Sequence, residues 1–120
     1  MKIVINSCYG GFGLSEAGEK RFLEKSGKEY DVFTTERHDP ILIEIIQENS
    51  PEYLYNYCKP RIVDFPDIFE YCYIIRDYDG LERISIDYEK WLLKHISLSP
   101  EEFYKKVREA LIIQKRLESE

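Results

Sequence analysis

Three glycines fall within four positions of Tyr9-Gly10-Gly11-Phe12-Gly13, a segment that follows the apolar run Lys2-Ile3-Val4-Ile5-Asn6 and precedes Leu14-Ser15-Glu16-Ala17. Glycine lets a backbone approach a ligand closely. The first N–H groups of a helix lack intrahelical partners and attract anions. Tyr9 and Phe12 add two rings that can stack on a base or a sugar face. Asn6 and Ser15 bracket the loop and complete this candidate set of Asn6, Tyr9, Gly10, Gly11, Phe12, Gly13 and Ser15. The spacing matches neither the dinucleotide fingerprint nor the phosphate loop that ends in Gly-Lys-Ser/Thr. The same glycines also suit a short turn with positive backbone angles and no ligand.

Arg37-His38-Asp39 sets a cation, a base and a carboxylate side by side. Arg37 and His38 are candidate ligand contacts there, while Asp39 doubles as a helix cap. Around Tyr78, Asp77, Asp79 and Glu82 gather carboxylates that could hold a cation or exchange protons, and a tight turn equally accounts for the two aspartates. Cys8 would be a nucleophile only with His38 near it in space, and otherwise reads as a small buried residue. No metal-ligand spacing, nucleophile elbow or catalytic signature stands out. The expectation is binding rather than catalysis, with no catalytic residues, metal or cofactor assigned.

Within 120 residues, 17 basic against 23 acidic side chains give a formal charge of −6. That balance disfavours a nucleic-acid polymer, whose affinity rests on a basic surface, but leaves room for one small anion held by a few local donors. Cys8, Cys58 and Cys72 are an odd number without a C-x-x-C pair, as expected of thiols in a reducing compartment. Neither a signal peptide nor a membrane-spanning run is indicated, so a cytoplasmic protein is expected. Ten of the residues are tyrosines, and Tyr53, Tyr55 and Tyr57 alternate as rings of a cleft or interface would, or as rings that edge a small core with their hydroxyls in water.

The elements that must position these residues read as an α+β or α/β fold over a single domain 1–120, with a core over 1–96 and a C-terminal helix over 97–120. A small mixed sheet with a late hairpin, covered by helices, is expected. Ser15 caps a helix that runs to Ser26 and stops at Gly27; Tyr30 to Thr34 alternates as a short strand with Val32 inward. Asp39-Pro40 opens a helix with Ile41, Leu42, Ile45 and Ile46 as its stripe, and Ser50-Pro51-Glu52 opens a shorter one over Tyr53–Cys58. Strands follow at 61–65 and 71–76. The latter turns through Asp79-Gly80 into 81–86, where Ile84 and Ile86 supply a buried face. A helix is expected over Tyr88–Ile96. Ser99-Pro100-Glu101-Glu102 is a capping box for the last helix, whose apolar girth exceeds what one packing surface usually needs and suggests either a homodimer or larger assembly or, equally, tight packing within one subunit.

Met1-Lys2-Ile3-Val4-Ile5-Asn6 with Cys8-Tyr9-Gly10-Gly11-Phe12-Gly13-Leu14-Ser15 resembles a group of small proteins encoded by bacteriophages. The likeness extends through Arg37-His38-Asp39-Pro40, Ile62-Val63-Asp64-Phe65-Pro66-Asp67 and Tyr78-Asp79-Gly80-Leu81-Glu82, over about the first 90 residues. The resemblance implies an anti-defence protein that sequesters a nucleotide-derived immune signal such as a cyclic ADP-ribose isomer in the host cytoplasm. On that analogy Tyr9–Gly13 and Arg37 would contact the ligand, and Tyr78, Asp79 and Glu82 would receive ribose hydroxyls or an amine. An enzyme that degrades or modifies such a nucleotide, and an inhibitor of a host protein, are the alternatives.

Overall fold

A computed structural model describes residues 1–55 and 58–119 and gives an α+β fold. The strands β1 (Lys2–Asn6) and β2 (Pro60–Asp64) pair antiparallel, from Lys2 opposite Asp64 to Asn6 opposite Pro60. β3 (Tyr73–Tyr78) and β4 (Leu81–Ile86) form a second two-stranded sheet. The helices are α1 (Glu16–Ser26), α2 (Pro40–Gln47), α3 (Tyr88–Lys94) and α4 (Pro100–Ser119). Two ladders of two strands therefore replace the expected mixed sheet. The chain gathers into two compact units: Met1–Asp64 with Ile75–Ile84, and Phe65–Ile74 with the chain from Ser85 on.

In the first unit, local chemistry sets the helix ends. The Ser15 hydroxyl accepts from the Gly18 amide at 3.1 Å, and Gly27 closes α1 at φ 72°. The Asp39 carboxylate accepts from the Ile41 and Leu42 amides, with Pro40 in the first turn where no donor is required. Val4, Phe22, Leu42, Ile45 and Ile46 form the core, with Ile43 buried as well. Gly18 lets α1 close on the 3-10 turn Pro51–Tyr53, because a Cβ there would overlap the Tyr53 carbonyl.

Two expected elements differ. The segment 30–34 is a turn rather than a strand, and Val32 is exposed. The Asp31 carboxylate accepts from the Phe33 amide at 2.8 Å and its carbonyl from Thr34 and Thr35, so side-chain bonding at Asp31 outcompetes the weak alternation. Where a helix is expected over Tyr53–Cys58, the described residues give the 3-10 turn Pro51–Tyr53, and Leu54 bridges Leu14 as an isolated β pair. Asn56 and Tyr57 lie outside the described residues.

In the second unit, Phe69 and Cys72 are fully buried and Trp91 nearly so. Phe69 packs edge-on against Trp91 at 6.1 Å and Tyr88 at 6.3 Å, and the Trp91 indole donates to the Ile68 carbonyl at 2.8 Å. Asp87 caps α3, which ends at Lys94 rather than Ile96. Ser99 caps α4, accepting from the Glu102 amide. The strand expected from Tyr71 starts at Tyr73, since Tyr71 sits in a turn at φ 63°.

Candidate functional site

β1 delivers Asn6, fully buried, to the mouth of the glycine loop, and the hairpin β3–β4 delivers Gly80 and Glu82 to meet it. The hairpin turn is Asp79 at φ 50° and Gly80 at φ 93°, the left-handed pair that a two-residue connection with native twist requires. The Gly80 amide donates to the Asp77 carboxylate at 2.7 Å. A Cβ on Gly80 would overlap the amides of Gly10 and Gly11, so this glycine admits the loop against the turn. The Gly10 amide donates to the Asp79 carbonyl at 3.1 Å.

Asn6 uses its whole side chain. Its Nδ2 donates to the carbonyls of Cys8 and Gly80, each at 2.8 Å, and its Oδ1 accepts from the Lys59 amide at 3.0 Å and the Cys8 thiol at 3.5 Å. The Asn6 amide donates to Glu82 Oε1 at 2.8 Å. Glu82, 6 % exposed, also receives the Arg37 guanidinium as a two-pronged pair at 2.6 and 2.7 Å. Arg37 Nη1 reaches the Val4 carbonyl at 3.3 Å, and its planar head lies 3.9 Å from the centre of the Phe12 ring. Loop, arginine and turn thus close into one buried polar knot.

This convergence has a consequence for roles. Arg37 faces Glu82, Val4 and Phe12, and the Phe12 ring is itself 9 % exposed. Glu82 is the buried residue of β4, where Ile84 and Ile86 are half-buried. The carboxylates of Asp77 and Glu82 are thereby engaged by backbone and guanidinium, while Asp79 takes part through its backbone carbonyl. Among the described residues, no group of three or more His, Cys, Asp or Glu is placed to hold a metal ion. His38 lies half-buried in the turn before Asp39, and Tyr9 and Tyr78 are exposed at 61 and 72 %. At the start of α1 the acids Glu16 and Glu19 occupy the first turn, where they answer the helix dipole themselves.

Beside the knot lies a cleft of about 250 Å³ lined by Phe12, Gly13, Leu14, Glu19, Tyr30, Val32 and Tyr55. Gly13 brings its two walls together, its carbonyl accepting from the Tyr55 amide at 2.9 Å. Tyr30 is held edge-on against Phe22 at 5.7 Å, and burial pushes its phenol up to about 12, so it stays a neutral donor and acceptor. A second cleft of about 460 Å³ shares Glu19 and Tyr30 and adds Glu16, Lys20, Leu23 and Glu29. Rings and aliphatic groups of the first cleft suit a flat ring, Glu19 can accept from an amine or hydroxyl, and Lys20 is outnumbered in the second cleft by Glu16, Glu19 and Glu29. Nearby Cys58 is buried, which raises its thiol despite a Gly13 backbone hydrogen bond that acts the other way.

Of the sequence candidates, the structure joins Asn6, Gly10, Phe12, Arg37, Asp79 and Glu82 directly, and sets Gly13 at the cleft. The sequence alone does not mark Tyr30 and Glu19, because one falls in a strand-like alternation and the other among the charges of an amphipathic helix. The alternating tyrosines were the usable signal for Tyr55. The chain matches no protein-family model, no curated protein and no solved structure. Among the described residues, no helix is long and apolar enough to cross a membrane.

Proposed function

We propose that this protein binds and sequesters a small nucleotide-derived molecule, of the class of cyclic ADP-ribose isomers, and thereby withholds an immune signal during phage infection. The observation that carries the reading is the ring-lined cleft of Phe12, Tyr30 and Tyr55 set against the glycine loop. The base or a ribose lies between the rings, Glu19 and the Tyr30 hydroxyl take its amine or hydroxyl groups, and the phosphates stay toward solvent, because Lys20 shares its cleft with Glu16, Glu19 and Glu29. Arg37 and Glu82 serve by holding the loop in place rather than by touching the anion.

The test is a panel of cyclic nucleotides and ADP-ribose isomers, read by thermal shift and by the mass of ligand released on heating. A shift with intact ligand, lost in Tyr55→Ala, is the expected result. Altered ligand would make the protein an enzyme, and no shift across the panel would move the function to a protein partner.

A further inference from the structure

The last helix has two faces of different fate. Phe103, Val107, Ala110 and Ile113 are buried or half-buried, while Tyr104, Leu111 and Ile112 are exposed at 63, 52 and 50 %. Apolar side chains of this size grouped on one open helix face are more than isolated surface exposures. The same helix carries Glu101 and Glu102 in its first turn and Lys115 and Arg116 toward its end, with Lys105, Lys106, Arg108 and Glu109 between them and Glu118 beyond.

We propose that this outer face binds a second copy of the chain, the two α4 helices docking antiparallel about a two-fold axis near Arg108. An isologous contact requires each position to face its mirror across the axis. Tyr104 and Ile112 lie at equal distances either side of Arg108, as do Glu101 and Lys115. Antiparallel docking therefore sets Tyr104 of each copy on Ile112 of the other, and Glu101 of each, on the same face, against Lys115 of the other. Parallel docking would place acid on acid and base on base. Arg108 is drawn along its own helix, its guanidinium 5.9 Å from the Tyr104 ring centre, which eases the meeting of two arginines near the axis. The charge order thus selects a second copy and its direction, independently of any small ligand.

Sedimentation equilibrium of the full chain over a range of concentrations tests this, with circular dichroism as the check on folding. The expected result is a dimer whose dissociation constant rises about tenfold between ~50 mM and ~500 mM salt, because screening weakens its end pairs. Leu111→Glu with Ile112→Glu, both at exposed positions, is expected to give a folded monomer. Glu101→Lys/Glu102→Lys and Lys115→Glu/Arg116→Glu are each expected to be monomeric alone and to form a heterodimer when mixed. A wild-type monomer at every concentration, a dimer indifferent to the Leu111 and Ile112 changes, or a dimer that tightens with salt would each overturn the proposal.

Discussion

Glu82 keeps both carboxylate oxygens engaged at 6 % exposure, so its partners cannot turn to water when it is removed. Glu82→Ala strands the Arg37 guanidinium and the Asn6 amide, and is expected to cost about 3–5 kcal/mol, read as a lowered urea midpoint. Asn6→Asp is the more pointed test. The carboxylate is isosteric, yet it would face the Cys8 and Gly80 carbonyls where Nδ2 now donates, so its melting temperature should fall below that of Asn6→Ala. Tyr30 governs the alkaline side. Its phenol titrates at about 12 in the fold against 10.0 in the unfolded chain, so between those values the unfolded state binds fewer protons and stability falls as pH rises. The raised Cys58 thiol acts in the same direction. Tyr30→Phe should flatten that alkaline decline in a pH series of urea midpoints.

Among the elements, the hairpin turn constrains its glycine more tightly than the glycine loop does. At Gly80 a side chain meets both a positive φ and the Gly10 and Gly11 backbone, whereas at Gly11 only the positive φ opposes it. Gly11→Ala should therefore cost about 1–2 kcal/mol, the ordinary strain of a left-handed residue, with Gly80→Ala clearly worse in parallel thermal melts. The same contrast explains what could be read from the sequence. Helix caps at Ser15, Asp39 and Ser99 and the Asp79-Gly80 turn depend on neighbours within a few residues, and their signals were legible. The strand over 30–34 was misread because one aspartate side chain decided the turn, and the short helix after Pro51 because its backbone pairs with Leu14 instead. The candidate residues of loop, arginine and turn could each be picked out by type. Their closure into a buried pair, with Arg37 turned inward to Glu82 45 positions away, follows from tertiary packing that no spacing rule reports.

At the scale of the molecule, the pH response has an acid limb as well. Arg21 and Lys25 of α1 hold Glu48, just past α2, so its carboxyl lies below its ordinary range through the Arg21 hydrogen bond first. That support is present above the unfolded carboxylate value and fades as pH drops through the folded one, and Glu48→Gln should remove this part of the acid dependence. The net charge of −6 weakens attraction to a phosphate polymer, the condition that the proposed reading needs. A different consequence follows from the path of the chain. The first compact unit is interrupted: residues 65–74 are inserted between Asp64 and the hairpin segment that supplies Gly80 and Glu82. During synthesis, Asn6 and Arg37 emerge from the ribosome long before their partner carboxylate exists. Until Glu82 has been added, the growing chain carries an arginine without its carboxylate, so the first unit cannot close its polar knot before the hairpin is made.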